Sequence, residues 1–182
     1  MDILFKKFTN LLMKDGKKMK ASKILFTMLV ILQKRLQKDL QKKNNLLSKT
    51  VVLTHEKSLQ NVSRLGHDRT KKENSANFEL FGFLSQALEN VTPSLEVRKV
   101  RVRGTTYLVP AVLSKRKQET LALKWLIESA KKRQKNSKFD FPTCLADEFL
   151  DASRKLGQAR QKRDELHRLA QMNRAYIRYR WW

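Results

Sequence analysis

The stretch ALENVTPSLEVRKVRVRGTTYLVPAVL, residues 87–113, decides the fold. Its opening completes a helical spacing set by Phe78, Phe81, Leu84, Leu88 and Val91, and Pro93 stops that helix because it can neither donate nor continue the turn. The period then changes. Leu95, Val97, Val100 and Val102 lead into Arg103-Gly104-Thr105, and Tyr107, Val109 and Val112 follow. Two β-rich runs around a glycine turn predict a hairpin. The alternation slips between Val97 and Val100, which predicts a bulge or a strong twist. Pro110 makes the returning run an edge strand. A lone hairpin is only marginally stable, so helices must anchor it unless it projects to meet a partner.

The chain on either side reads as helical. Leu4, Phe8, Leu11 and Leu12 predict a first helix over Ile3–Met13, with Asp15-Gly16 breaking it and Gly16 in a left-handed position. Ala21, Leu25, Met28, Leu29 and Leu32 predict a second, which the polar segment 33–43 is able to prolong. From 44 to 75 no apolar period is sustained, and the segment reads as a loop or insertion that holds His55 and His67. Downstream, Ser114 is placed to cap a fourth helix running to Arg133 through Leu121, Trp125, Ile127 and Ala130. Pro142-Thr143 opens a fifth, with Leu145, Phe149, Ala152 and Leu156 on one stripe and Gly157 at its end. A last helix is expected from Ala159 to Tyr179, with a stripe of Leu166, Leu169, Ala170 and Ile177 and an Asp164–Arg168 surface pair. The fold class is therefore mainly α.

Composition bounds the function. Forty Lys and Arg stand against seventeen Asp and Glu, a formal net charge of +23 over 182 residues. Self-repulsion of that size opposes a compact fold unless a polyanion shares the field. Hydrophobic residues make up 41 %, which excludes a disordered basic arm, and five glycines and three prolines are too few for a turn-rich β protein. The single cysteine, Cys144, forms no internal disulfide and assembles no cysteine zinc site; a small buried apolar role suits it. The apolar run Ile24–Leu32 is far short of the ~20 residues that span a bilayer, so no membrane role is expected. The N-terminal sequence lacks the look of an import or secretory leader, which suggests synthesis inside the compartment of use.

The positive charge falls in four runs. Lys14, Lys17, Lys18 and Lys20 follow the first helix. Arg98, Lys99, Arg101 and Arg103 load the hairpin. Lys115, Arg116, Lys117, Lys124, Lys131, Lys132, Arg133 and Lys135 load the fourth helix, and Lys117, Lys124 and Lys131 repeat every seven residues on nearly one face. Arg160, Lys162, Arg163, Arg168, Arg174, Arg178 and Arg180 load the end of the chain. One such run is ordinarily a solvated face; four together favour phosphate neutralisation with counterion release. Phe5, Phe8, Phe26, Phe78, Phe81, Phe83, Phe149 and Trp125 read as core. Tyr107, Tyr176, Tyr179, Trp181 and Trp182 lie among arginines, and contact with bases or protein balances simple packing there. Catalysis finds little support. Lys14-Asp15-Gly16-Lys17-Lys18 lacks the first glycine and the Ser/Thr of a nucleotide loop. No metal spacing is present, and His167 suits a phosphate or a structural hydrogen bond.

Four blocks carry a resemblance: Asp2–Val30 around Met13-Lys14-Asp15-Gly16-Lys17-Lys18; Ala87–Arg98 with Gly104–Pro110; Leu121–Glu128; and Lys162–Ala170 with Asn173–Tyr176 and Tyr179–Trp181. In these the chain resembles the small-subunit ribosomal protein seven family of bacterial type, and Arg180-Trp181-Trp182 resembles mitochondrial members. The resemblance implies a single helical domain of about six helices over residues 1–182, with a hairpin at 95–113 projecting between the third and fourth. It implies a structural, non-enzymatic constituent of the small ribosomal subunit, with no cofactor, that does not form homo-oligomers. Such a protein binds the 3′ major domain of small-subunit rRNA, nucleates assembly of the head, and sits near exit-site tRNA and the mRNA path. Small-subunit proteins nine and eleven are its neighbours. RNA contact falls on Lys17, Lys18 and Lys20; on Arg98, Arg101, Arg103 and Tyr107; on Lys115, Arg116, Lys117, Lys124, Lys131, Lys132 and Arg133; and on Arg160, Lys162, Arg163, His167, Arg168, Arg174 and Arg178. The implied location is the mitochondrial ribosome, with an organelle-encoded chain; plastid or bacterial cytoplasm is the alternative. Two departures stand out. The sequence opens almost at the first helix, so the contacts of the basic arm that precedes it in bacterial members are expected to be missing or replaced, and the stretch 33–75 is longer than the family's connection, which reads as a lineage-specific insertion. The competing functions are a sequence-specific nucleic-acid regulator outside the ribosome and an RNA-acting enzyme.

Overall fold

Heptad-like apolar spacing gives each helix one greasy face, and those faces meet in a common core. The computed structural model describes the backbone over residues 2–54 and 69–182, and side chains over 3–39, 41–42 and 80–182. Helix α1 (Asp2–Leu12) contributes Phe8, and α2 (Lys18–Thr54) contributes Leu25, Met28 and Leu32. Helix α3 (Arg69–Val91) adds Leu84, Leu88 and Val91; α4 (Lys115–Asn136) adds Leu123, Leu126 and Ile127; α5 (Phe141–Ser153) adds Leu145 and Phe149. Met28, Leu32, Leu123, Leu126 and Leu145 are fully buried, each the kind of site where truncation to alanine costs about 2–5 kcal/mol. Helix α6 (Gln158–Met172) closes the bundle, and a short 3₁₀ helix (Arg174–Tyr179) carries the chain back to the hairpin.

Strands β1 (Leu95–Val102) and β2 (Thr105–Val112) form the expected hairpin between α3 and α4. Pairing runs unbroken from Leu95↔Val112 to Val102↔Thr105, so the anticipated bulge is absent. The slip has another cause. Leu95 and Val97 lie on one face of the ribbon while Val100 and Val102 lie on the other, and each face finds cover: Leu95, Pro110 and Val112 border a groove with His167 and Ala170 of α6, and Tyr107, opposite Val100, packs on Tyr176 and Tyr179 of the 3₁₀ helix. The two-residue turn places Arg103 at φ 47° and Gly104 at φ 86°, the positive pair of a type I′ turn, whose twist matches that of the strands.

Several boundaries differ from the sequence reading. Helix α2 runs on to Thr54 and α3 begins at Arg69, so 44–54 and 69–75 are helical, not loop. His55 and His67 lie outside the described residues. Residues 33–39 stay within the packed part of α2: Leu36 rests on the core, and Arg35 and Asp39 pair with Asp147 and Arg154 of the α5 region. Helix α5 stops at Ser153. Leu156 is left 60 % exposed, and Gly157 (φ 89°) is the first residue of the turn into α6 instead of the last of α5. The final helix breaks at Asn173, which puts Ile177 out of register with the rest; Leu169 and Ile177 remain exposed, and Ala159 and Ala170 are the positions buried on α6. Ser114 occupies the N-cap position of α4, but only its carbonyl is used, by the N–H groups of Lys117 and Gln118.

Phe5, Phe8, Phe83, Phe149 and Trp125 pack in or on the core, and Cys144 is fully buried. Phe26 does not; it is 69 % exposed, and Met19 one heptad earlier is 84 % exposed, because both sit more than about 100° off the centre of the Leu25–Met28–Leu32 face. Phe81 is likewise exposed, although its ring edge meets Phe5 at 6.0 Å. The side chain of Phe78 lies outside the described residues.

Candidate nucleic-acid interface

The cations sort into two kinds by what surrounds them. On α4 the inner face is apolar, so the lysines at seven-residue intervals are forced outward. Lys117, Lys124 and Lys131 are exposed, as are Lys115, Arg116, Lys132 and Lys135, and among the described residues none of these has an acidic partner. The loop between α1 and α2 is equally open. Asp15 (φ 53°) and Gly16 (φ 70°) turn it, and Lys14, Lys17, Lys18 and Lys20 point to solvent. On the hairpin, Lys99, Arg101 and Arg103 are exposed. At the end of the chain the same holds for Arg168, Arg174 and Arg178, the last lying over the Tyr179 ring at 5.6 Å.

The second kind is engaged inside the protein. Arg133 reaches from α4 to Glu148 (2.8 Å) and Asp151 on α5. Burial alone lowers the pKa of its guanidinium, but the hydrogen bond to Asp151 and the field of both carboxylates outweigh that and raise it. Glu148 is about 1 % exposed, and desolvation pushes its carboxyl above the ordinary value, aided by the neighbouring Asp151 and opposed by Arg133. Arg160 and Arg163 both donate to the backbone carbonyl of Asn90, at 2.7 and 2.8 Å. Arg160 also bonds Asp164 at 3.0 Å, which replaces the expected Asp164–Arg168 pair. Lys162 pairs with Glu128 at 2.7 Å. His167 accepts the Ser94 N–H at 3.2 Å through Nε2. Its pKa is lowered by burial first and by Arg163 and Arg160 next, so the ring is neutral at pH 7 with its proton on Nδ1. Arg98 lies 5.1 Å from the centre of the Trp182 ring and pairs with Glu96. Tyr107 packs on Tyr176 and Tyr179 at 5.0 and 4.9 Å.

The hairpin base is where two of the charged runs approach from opposite faces. A groove of about 400 Å³ joins Glu96 and Leu113 to Arg116, Lys117 and Lys124 of α4. On the other side, a groove of about 430 Å³ joins Leu95, Pro110 and Val112 to Arg174 and Arg180. The lysine loop after α1 is not part of either. One cationic row escaped the sequence reading: Lys34, Lys38 and Lys42 on α2 are all exposed. Their four-residue spacing was the available signal. Among the described residues no cluster of acids, histidines or cysteine could hold a metal, and no helix is long and apolar enough to cross a membrane.

A helical bundle that carries a β-ribbon and an outward row of lysines defines the architectural class. The family profile of ribosomal protein S7p/S5e matches residues 1–174, and the chain belongs to that family. It is 46 % identical over 195 aligned positions to small ribosomal subunit protein uS7m of Prototheca wickerhamii, covering 97 % of this chain and 88 % of that one. It is 35 % identical to protein uS7 of Colwellia psychrerythraea, with 98 % and 86 % covered, and 50 % identical to uS7m of Marchantia polymorpha over 57 % and 46 %. The molecule is a non-enzymatic structural constituent of the small ribosomal subunit, which displaces the regulator and RNA-enzyme readings.

Proposed function

We propose that the chain, acting as one unit, binds small-subunit rRNA in its 3′ major domain, nucleates assembly of the head, and holds its hairpin near exit-site tRNA and the mRNA path. Small-subunit proteins nine and eleven are its neighbours in this reading. The similarity to uS7m proteins supports a place in the mitochondrial ribosome, and synthesis within the organelle is part of the same proposal. The stretch beyond the packed part of α2, residues 40–75, serves there as a lineage-specific addition. The carrying observation is the outer face of α4, where Lys117, Lys124 and Lys131 stand exposed with no salt-bridge partner among the described residues. A-form RNA offers its phosphates and a shallow groove, not readable base edges, so such binding is electrostatic and shape-based. The contact set is therefore Lys17, Lys18, Lys20, Arg101, Arg103, Lys115, Arg116, Lys117, Lys124, Lys131, Lys132, Arg168, Arg174 and Arg178. Arg98, Arg133, Arg160, Lys162, Arg163, His167 and Tyr107 already have partners inside the chain.

The test is binding to a 3′ major domain transcript against a random RNA of equal length, across a salt series. The expected result is a steep fall of affinity with salt and a clear preference for the head-domain transcript. Equal affinity for both RNAs at every salt concentration refutes the reading.

A further inference from the structure

The segment 174–182 is rich in aromatics, and all but one of them have a partner elsewhere in the fold. Tyr176 and Tyr179 lie nearly parallel, 6.2 Å apart, and both pack against Tyr107 of β2. Trp182 is met by the guanidinium of Arg98 on β1. These contacts staple the segment to one face of the hairpin through both of its strands. Trp181 touches Trp182 edge-on, with ring centres 5.7 Å apart and planes at 86°, and is left 81 % exposed. Its neighbour is therefore fixed while its own face is open.

The segment itself is one-sided in charge, and the nearby acid of the hairpin, Glu96, is paired with Arg98. From Leu166 to Trp182 the chain has no acidic side chain, and Arg174, Arg178 and Arg180 in this stretch are exposed. Arg174 and Arg180 also stand at the rim of the groove floored by Leu95, Pro110, Val112 and Ile177. Arg178 lies over the Tyr179 ring and Arg180 donates to the Trp182 carbonyl, so an open indole with arginines on either side of it in sequence matches a ligand that brings a flat ring and a phosphate in one unit. A protein neighbour would have to supply several acids together with an apolar group.

We propose that Trp181 is a stacking platform for an unpaired nucleobase, with Arg178 and Arg180 holding the adjoining phosphates and Trp182, pinned by Arg98, positioning the indole. The assignment rests on the RNA-binding reading above and adds a single-stranded element to it. Rigid support matters here, because a platform held in place loses little freedom when a base arrives. The unpaired base has two sources, a bulged or looped nucleotide of the rRNA or a free single strand passing the hairpin.

The experiment uses the full chain with two probes at fixed salt: the 3′ major domain transcript and a single-stranded oligouridylate. Trp181→Leu is expected to weaken binding to at least one probe by roughly five- to a hundredfold, the range for loss of one base–aromatic stack. Trp181→Phe retains most of the affinity, and the slope of affinity against salt stays unchanged in both variants. Loss confined to the transcript assigns the base to rRNA; loss confined to the oligonucleotide assigns it to a passing strand. Full affinity of Trp181→Leu for both probes overturns the proposal. So does an equal loss in the Leu and Phe variants, or a flattened salt slope, which would trace the effect to displaced arginines. Failure of the wild-type chain to prefer head-domain RNA would instead strike the wider function and is read from a separate comparison.

Discussion

At the scale of single residues, position rather than charge decides what a cation does. Lys124 and Arg133 share a helix and a sign, yet Lys124 faces solvent and Arg133 holds Glu148 and Asp151. Lys124→Glu and Lys131→Glu together should leave the melting temperature within a few degrees of wild type while lowering rRNA affinity and reducing the salt slope by roughly one per lysine. Arg133→Glu should destabilise the fold by roughly 3 kcal/mol, measurable by urea denaturation, since it strands a buried carboxylate. From sequence the two residues look alike, and only the burial of Glu148 separates them. The Glu148 and His167 titrations have opposite effects on stability. The His167 pKa is held below its ordinary 6.5, so its contribution is complete above that pH and is lost as acid charges the ring and breaks the Ser94 bond. Glu148 is raised above 4.5, so the native state binds the extra proton and stability falls as pH rises through its folded pKa. NMR titration should place the His167 midpoint below 6.5; a midpoint at or above it contradicts the hydrogen bond.

At the scale of elements, the hairpin and the helices differ in how openly they were written. The hairpin was legible because Arg103-Gly104 falls between two β-rich runs and Pro93 isolates it from α3. Its regular register was not, since burial on both faces of a ribbon imitates the signature of a bulge. Arg103 occupies a left-handed conformation that suits asparagine or glycine better. Arg103→Asn should therefore raise stability by about 0.5–1 kcal/mol while removing charge from the tip; a lower melting temperature would refute the turn assignment. The extension of α2 was missed because periodicity reports burial, and Asn44-Asn45 with Thr50-Val51-Val52 weakens local propensity. A better cue was the absence of any glycine or proline between Gly16 and Gly66. The end of α5 was misjudged for a related reason: Leu156 continues the stripe in sequence, but Lys155 at φ 61° has already turned the chain away.

At the scale of the molecule, charge and core pull in opposite directions. The core is continuous through six helices, and a net charge of +23 presses outward on it. Added sodium chloride should raise the melting temperature of the isolated protein between about 20 and 300 mM, because screening relieves repulsion among exposed groups within a Debye length; a flat or falling curve means that the ion pairs already balance the field. The overall architecture was readable from residue spacing and charge, whereas the division of the candidate RNA-contact residues into free and engaged cations required the packing. Asn90 shows what that packing does. Its side-chain amide donates to the Ala152 and Ser153 carbonyls, where α5 ends, while its own carbonyl receives Arg160 and Arg163. One residue at the end of α3 thus ties the finish of one helix to the start of another. Deuterium should consequently enter the backbone amides of all three junctions at a common rate, as a single cooperative unit that opens together, while the fringes of the hairpin exchange far sooner.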